Sequence, residues 1–329
     1  VKRTIGTWFA LALLLAAAGS ACAATGEEPP TVIVVQGAQG EAEFGEVFSQ
    51  SADKWVEAAR RGGAEVVEIG RGPAAGGAGE DKQRLQRAIE QQVKKTTPQL
   101  WVVLIGHGTY DGKEAKFNLR GEDFSDTELA AWLRPCVRPL AVVDGSSASA
   151  TFLSRLSGKG RVVITATRTG HEVNYARFGA YLAEAIADPA ADLDKDGQTS
   201  LLEAYLAAAH RVEEFYKNEG RLATEHPLLD DNGDGLGTPP DFFEGIRATR
   251  AARNGAPLDG AFSRKWVLVP SAAEQAMPAE AKAQRDELES QIESLRAKKS
   301  TMSEGDYYGE LDPLLLKLAR VYEQSEKKP

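Results

Sequence analysis

Leu100-Trp101-Val102-Val103-Leu104-Ile105-Gly106-His107-Gly108 is the stretch on which the fold turns. Its apolar run does not alternate with polar residues, which describes a strand buried on both faces, as in a parallel sheet. Four further runs of this kind lie at Thr31 to Gln36, Glu65 to Ile69, Leu140 to Val143 and Arg161 to Ala166. Between them, apolar residues recur at helical spacing: Phe48, Trp55 and Ala59; then Leu85, Ile89 and Val93; then Leu129, Trp132 and Leu133. Ser125 and Glu128 form a capping box that starts the third helix. Strand and helix in repetition imply right-handed crossovers and a doubly wound α/β sheet. Lys265 to Val269 is expected to add a late edge strand. Arg71 to Gly79, rich in Gly and Ala, reads as a surface loop.

Beyond Pro278 the pattern changes. Leu288, Ile292 and Leu295, a break at Ser300 to Gly305, then Tyr308, Leu311, Leu315, Leu318 and Tyr322 describe two amphipathic helices folded back on each other. Pro313, after Asp312, is expected in the first turn of the second helix. Such a hairpin, over about residues 278–325, caps the α/β domain of residues 31–270 or pairs with another copy of the chain.

The chain of 329 residues accommodates one large domain with an appendage, or two domains. Apolar residues at 42% and charged ones at 26% are a globular mix. With 39 Lys and Arg against 48 Asp and Glu, the formal charge is −9, and no basic patch carries interleaved aromatics. Nucleic acid is therefore excluded as a partner. Lys2 and Arg3, the uncharged run Trp8 to Ala18, and the small residues Gly19 to Ala24 have the order of a secretory signal spanning residues 1–23. Cleavage leaves a secreted or periplasmic protein with no membrane span. Two other readings stay open: an uncleaved anchor, since nothing from Thr4 to Thr25 is charged, and a lipid on Cys22, although Gly19 stands where such boxes carry Leu. Cys136 is the only other cysteine, so no intramolecular disulfide framework exists.

In open parallel sheets, sites form beyond the carboxyl ends of strands. Two of these ends carry reactive side chains: His107-Gly108 after the third run, and Asp144-Gly145-Ser146-Ser147-Ala148-Ser149 after the fourth. Neighbouring units place them side by side, where an imidazole could activate a nucleophile. The bland alternative is a satisfied imidazole, with hydroxyls capping a helix from Ala150.

These features, with Phe117-Asn118-Leu119 and the following strand Val162 to Thr167, make residues 31–213 resemble the caspase-like cysteine peptidases, and most closely the legumain-like branch found in secreted bacterial proteins. The resemblance implies a three-layer α/β/α sandwich with a mostly parallel sheet, followed here by the helical hairpin. It also implies a His and Cys dyad. His107 matches the histidine, but the cysteine is replaced: counting back from Ser149-Ala150 selects Ser147, and counting forward from Asp144 selects Ser146. A hydroxyl needs a stronger base than a thiol, one oriented by a carboxylate, and Asp111 and Asp144 are the nearby candidates. Cys136 lies before the strand, at the wrong end to substitute. The expectation is a catalytically degenerate homologue acting in binding or assembly, with a protein or peptide as its ligand; the alternative is a peptidase or esterase-like hydrolase using Ser147 or Ser146 with His107. The family's substrate-binding segment falls on Thr169, Glu172 and Asn174.

Two acidic loops add a metal. Asp192, Asp194 and Asp196 occupy positions 1, 3 and 5 of a twelve-residue calcium loop, Gly197 turns it at 6, and Gln198, Ser200 and Glu203 stand at 7, 9 and 12. Helices expected over Tyr175 to Ile186 and Leu201 to Tyr216 would complete an EF-hand, though Thr199 replaces the usual apolar residue that pairs with a second hand. A second loop offers Asp230, Asn232, Asp234 and Asp241, but Pro239-Pro240 forbids an exiting helix. Ca²⁺ is the expected ion, in a structural role. His226 is expected to be structural, since calcium prefers oxygen.

Overall fold

The computed structural model describes residues 28–72, 80–96, 98–255 and 257–326. The readings of a secretory signal, an anchor and a lipid on Cys22 lie outside these residues, as does most of the Gly/Ala-rich loop. No helix among them is long and apolar enough to cross a membrane.

Each of the five apolar runs is a strand: β1 (Thr31–Gln36), β2 (Glu65–Ile69), β3 (Leu100–Ile105), β7 (Leu140–Asp144) and β8 (Arg161–Thr165). After β3 the chain makes a small antiparallel sheet, β4 (Gly108–Tyr110), β5 (Ala115–Phe117) and β6 (Phe124–Ser125). The main sheet has the order β2-β1-β3-β7-β8-β9, parallel except for β9 (Leu228–Asp230), which pairs antiparallel with β8. A short ribbon follows, β10 (Phe243–Glu244) with β11 (Arg247–Ala248). The fold is thus α/β with a mainly parallel sheet.

Alternation along each buried strand feeds two cores. Val32, Val34, Trp101, Val103, Ala141, Val143, Val162 and Ile164 face α1 (Ala42–Arg61), α5 (Phe178–Ala185) and α6 (Leu201–Asn218). Ile33, Val35, Leu100, Val102, Leu104, Leu140, Val142 and Val163 face α2 (Glu80–Gln92), α3 (Asp126–Leu133) and α4 (Ala150–Leu156). Removing both faces from water, at roughly 1.5–3 kcal/mol per large apolar side chain, is what fixes the sheet between two helical layers. Helix α3 begins at the expected box: Ser125 Oγ accepts from Glu128 N, and the Glu128 carboxylate accepts from Ser125 N.

The expected late strand at Lys265 to Val269 is not in the sheet. The edge is taken by β9, and Val267 makes only an isolated bridge with Ser200. Burial is the reason: Trp266 turns inward against Trp101, ring centroids 5.0 Å apart, and Leu268 packs beneath the same core. A side chain so engaged fixes the segment across the helix layer instead of along the sheet.

After α7 (Ala272–Ala276), the tail forms α8 (Ala279–Ala297) and α9 (Glu304–Glu326), packed on each other. Two details differ from expectation. Ser303 Oγ accepts from Asp306 N, so α9 starts at Glu304 and Pro313 lies inside it, past the first turn. The small core of the pair is Ile292, Leu295, Tyr307 and Leu311. Tyr308, Leu315 and Tyr322 are 43%, 42% and 40% exposed, because they sit about one helical position away from the contact stripe.

Candidate functional site

Because β3 and β7 are parallel, with Leu104 opposite Asp144, the chain leaves both strands at the same rim. His107 and the two serines therefore emerge as neighbours. Gly108 lets the segments touch. A Cβ there would overlap the Ser147 carbonyl and lie 3.0 Å from Ser146 Oγ, so a residue without a side chain is required.

The hydroxyls are nevertheless occupied by other partners. Ser147 Oγ donates to Gly108 O and accepts from Gly108 N, both at 3.2 Å. Ser146 Oγ donates to Asp144 Oδ1 at 2.6 Å, and the same oxygen accepts from Ser146 N at 3.0 Å. Both serines are buried. His107 is turned away from the serines to the loop between β1 and α1: its ring is hydrogen-bonded to the Gln39 backbone and enclosed by Phe44 and Phe48, with ring centroids 4.9 and 5.0 Å away, and by Tyr175 at 6.1 Å. Burial among these rings holds the imidazole below its ordinary range, against the opposing pull of Gln39 and Glu41. Among the described residues, neither Ser146 nor Ser147 has a hydrogen bond to His107.

The candidate orienting acids are not on the imidazole either. Asp111 lies in solvent on the β4–β5 turn, where the backbone N–H groups of Glu114 and Lys113 lower its pKa. Asp144 is fully buried, and desolvation pushes it up to about 7 against its bonds from Ser146. Its Oδ2 has no partner among the described residues. The strained backbone of this turn is at Ala148, φ +56°, one residue beyond the serines, so neither hydroxyl stands at the apex of an elbow. Ser149 does not cap α4 with its side chain; its Oγ accepts from Ala166 N and Thr167 N, while Thr167 Oγ1 accepts from Ala150 N. Cys136 is half-buried before β7, its Sγ toward Arg138 O, and burial raises its pKa.

Across the rim, Glu172 is joined to the turn through its backbone, accepting from Ala148 N at 2.8 Å. Its carboxylate holds His226 Nδ1 at 2.7 Å. No local pattern in the sequence connects these two residues, which are separated by 54 positions. Thr169 and Asn174 are exposed nearby in the chain.

The first acidic loop brings Asp192, Asp194 and Asp196 together, with one carboxylate oxygen of each within 4.8 Å of the others. Asp192 Oδ2 accepts from Gly197 N, which sits at φ +89°. Burial, then Glu203 and Asp196, push Asp194 up to about 6. Crowded carboxylates with this donor set suit a hard cation that takes oxygen ligands. Glu203 closes the loop from α6, accepting from Leu193 N, Asp194 N and Ser200 N. Gln198 Oε1 accepts from Ser271 N. Ser200 bridges Val267, so the position opposite the loop is filled by the chain before α7 and not by a second hand. The entering helix also differs from an EF-hand: α5 ends at Ala185, and a 3₁₀ turn, Pro189–Ala191, intervenes before Asp192.

In the second loop, Asp230 accepts from Gly233 N and Gly235 N, Asn232 from Asp234 N, and Asp234 from Leu236 N. Asp234 Oδ2 is buried without a partner among the described residues. Asp241 is exposed on the 3₁₀ turn Pro240–Phe242. The hydrogen bonds closing this region come from residues the sequence reading did not select. Asp259 accepts from Asp231 N, Asn232 N and Thr238 Oγ1, and Asp231 from Gly260 N, Phe262 N and Ser263 N.

No known family profile matches this chain, and no curated protein matches it by sequence. Solved structures do. The Drosophila initiator caspase Dronc is 11% identical, with a TM-score of 0.38 over 61% of this chain and 79% of its own. Protein GSU0716 of Geobacter sulfurreducens is 11% identical, with 0.40 over 62% and 92%. Caspase-1 of Spodoptera frugiperda is 11% identical, with 0.41 over 62% and 87%. Likenesses at this level assign neither a family nor an activity.

Proposed function

We propose that this is an exported, calcium-binding relative of the caspase-like peptidases that has lost hydrolysis and works by binding a protein or peptide. The observation that carries the reading is the occupation of both hydroxyls: Ser146 Oγ is spent on Asp144 and Ser147 Oγ on Gly108, while one nitrogen of His107 is held by Gln39 and neither hydroxyl bonds the imidazole. A serine nucleophile must pass its proton to a base it touches as the new bond forms. Here the bonded acceptor of Ser146 is a carboxylate that burial pushes up to about 7, and no imidazole stands behind it. Supporting the calcium assignment are the three converging carboxylates of Asp192, Asp194 and Asp196 and the complete ligand spacing through Glu203. The ion would clamp the loop before α6, with affinity in the range of extracellular modules, roughly 10⁻⁴ to 10⁻³ M.

A fluorophosphonate probe tests the reading. The expected result is no covalent labelling of the folded chain. Labelling lost in both His107→Ala and either Ser146→Ala or Ser147→Ala would establish the rival, a working serine hydrolase, and end this proposal.

A further inference from the structure

Beyond Glu172 lies a cavity of about 940 Å³ lined by neither His107 nor the two serines. That volume is near the top of the range for ligand sites, roughly 300–1,000 Å³. Leu153 of α4, Leu206 and Val212 of α6, Leu228 of β9, and Leu236 and Phe242 beyond it make its walls largely apolar. One end is different. Arg168 and His226 both line the cavity and both sit on the same carboxylate oxygen, His226 Nδ1 at 2.7 Å and Arg168 Nε at 3.5 Å from Glu172 Oε1. Glu172 Oε2 accepts from Arg168 N, which fixes the carboxylate from the other side.

This arrangement leaves two free valences of opposite sense. With Nδ1–H given to the Glu172 carboxylate, the ring's Nε2 is turned free to the ligand and accepts whenever it carries no proton. The Arg168 side chain is 58% exposed, and its terminal nitrogens have no partner among the described residues. They form a planar donor fork suited to a carboxylate. The last residue of a polypeptide supplies the complement, an amide N–H beside a terminal carboxylate, whereas a fatty acid supplies only the second. Glu213 and Asp241 also line the cavity from exposed positions and disfavour additional negative charge on the ligand.

We propose that this cavity binds the apolar C-terminal tail of a polypeptide, with Arg168 reading the terminal carboxylate, His226 the adjoining N–H, and the leucine-lined walls the last side chains. This gives the binding role above its ligand class, and while it rests on that reading for its purpose, it uses none of His107, Ser146 and Ser147, so the site stands even if the fluorophosphonate labels a serine.

The test is fluorescence anisotropy on the full-length protein with a labelled peptide ending in two leucines, made both as the free acid and as the C-terminal amide, with dodecanoate as competitor. The free acid is expected to bind saturably and at least about tenfold more tightly than the amide. Arg168→Gln should abolish that preference with the melting temperature unchanged, since its side chain is at the surface. Leu206→Trp, which fills the cavity, should abolish binding of both peptides. Equal affinity for acid and amide, displacement by dodecanoate at the peptide's own concentration, or no saturable binding up to about 1 mM, the weak limit of specific recognition, overturns the proposal.

Discussion

Asp144→Asn is the perturbation whose consequence can be worked out most directly. Asp144 is fully buried, accepts from Ser146 N and Oγ on one oxygen, and has no partner among the described residues on the other. Desolvation lifts it from 3.8 to about 7. A carboxyl raised in the folded state holds its proton there longer than in the unfolded chain. The folded state is therefore favoured by that proton at low pH, and the advantage is lost as pH rises from about 4 to about 7 and beyond. At 1.36 kcal/mol per pH unit, this interval is worth about 4 kcal/mol. Asn cannot ionise and keeps an acceptor for Ser146, so the variant should match the wild type near pH 4 and be the more stable protein, by up to about 4 kcal/mol, at pH 8. Urea denaturation of both proteins across this range measures the difference. Asp259, pushed up to about 7 by burial, contributes to each curve in the same direction and cancels in the subtraction. A difference between the two proteins that stays flat from pH 4 to pH 8 would refute a buried, protonatable Asp144.

Three further outcomes follow from particular contacts. Calcium at about a hundredfold its dissociation constant should stabilise the chain by about 2.7 kcal/mol, seen as a higher melting temperature by calorimetry. Asp194→Asn should remove that rise, and no rise in the wild type eliminates the calcium assignment. Asp231→Ala strips the acceptor from the N–H groups of Gly260, Phe262 and Ser263, at about 1–3 kcal/mol for each of the two buried donors, Gly260 and Ser263, left unpaired, so a loss of at least about 2 kcal/mol is expected in urea. Gly108→Ala forces a methyl group into the Ser147 carbonyl and should cost about 1–3 kcal/mol by the same measurement; a neutral substitution would mean that the β3 and β7 rims are farther apart than described.

What the sequence discloses and what it withholds divide along physical lines. Parallel strands with helices on both faces must be apolar throughout, so β1, β3, β7 and β8 were visible as unbroken runs, and their shared direction alone was enough to place His107 beside Ser146 and Ser147. β9 was not visible because an edge strand of three residues has no run to show; backbone bonds to β8 and burial of Leu229 hold it. The Lys265 to Val269 segment has strand composition yet is captured by Trp266 packing, a tertiary preference that local pattern does not encode. In the tail the helical period places Ile292, Leu295, Leu311 and Leu318 on the contact stripe, but Tyr307 and not Tyr308 completes it, since neighbouring helical positions differ by about 100° in direction.

The site itself shows the same division more sharply. Which residue types stand at the rim could be read from spacing, but whether a hydroxyl is a nucleophile is decided by where its proton points, and spacing says nothing about that. The dipeptide His107-Gly108 carries both possibilities at once: the histidine matches the pattern of a catalytic base, while the glycine, by admitting the Ser147 backbone, lets the serine hydroxyl bond to the chain instead of to the imidazole. The residues that pair most completely across the rim, Glu172 and His226, are brought together only by the return of the chain through β9. An acid and an imidazole so far apart in sequence become partners through topology, the antiparallel return of β9 beside β8, which no local spacing encodes.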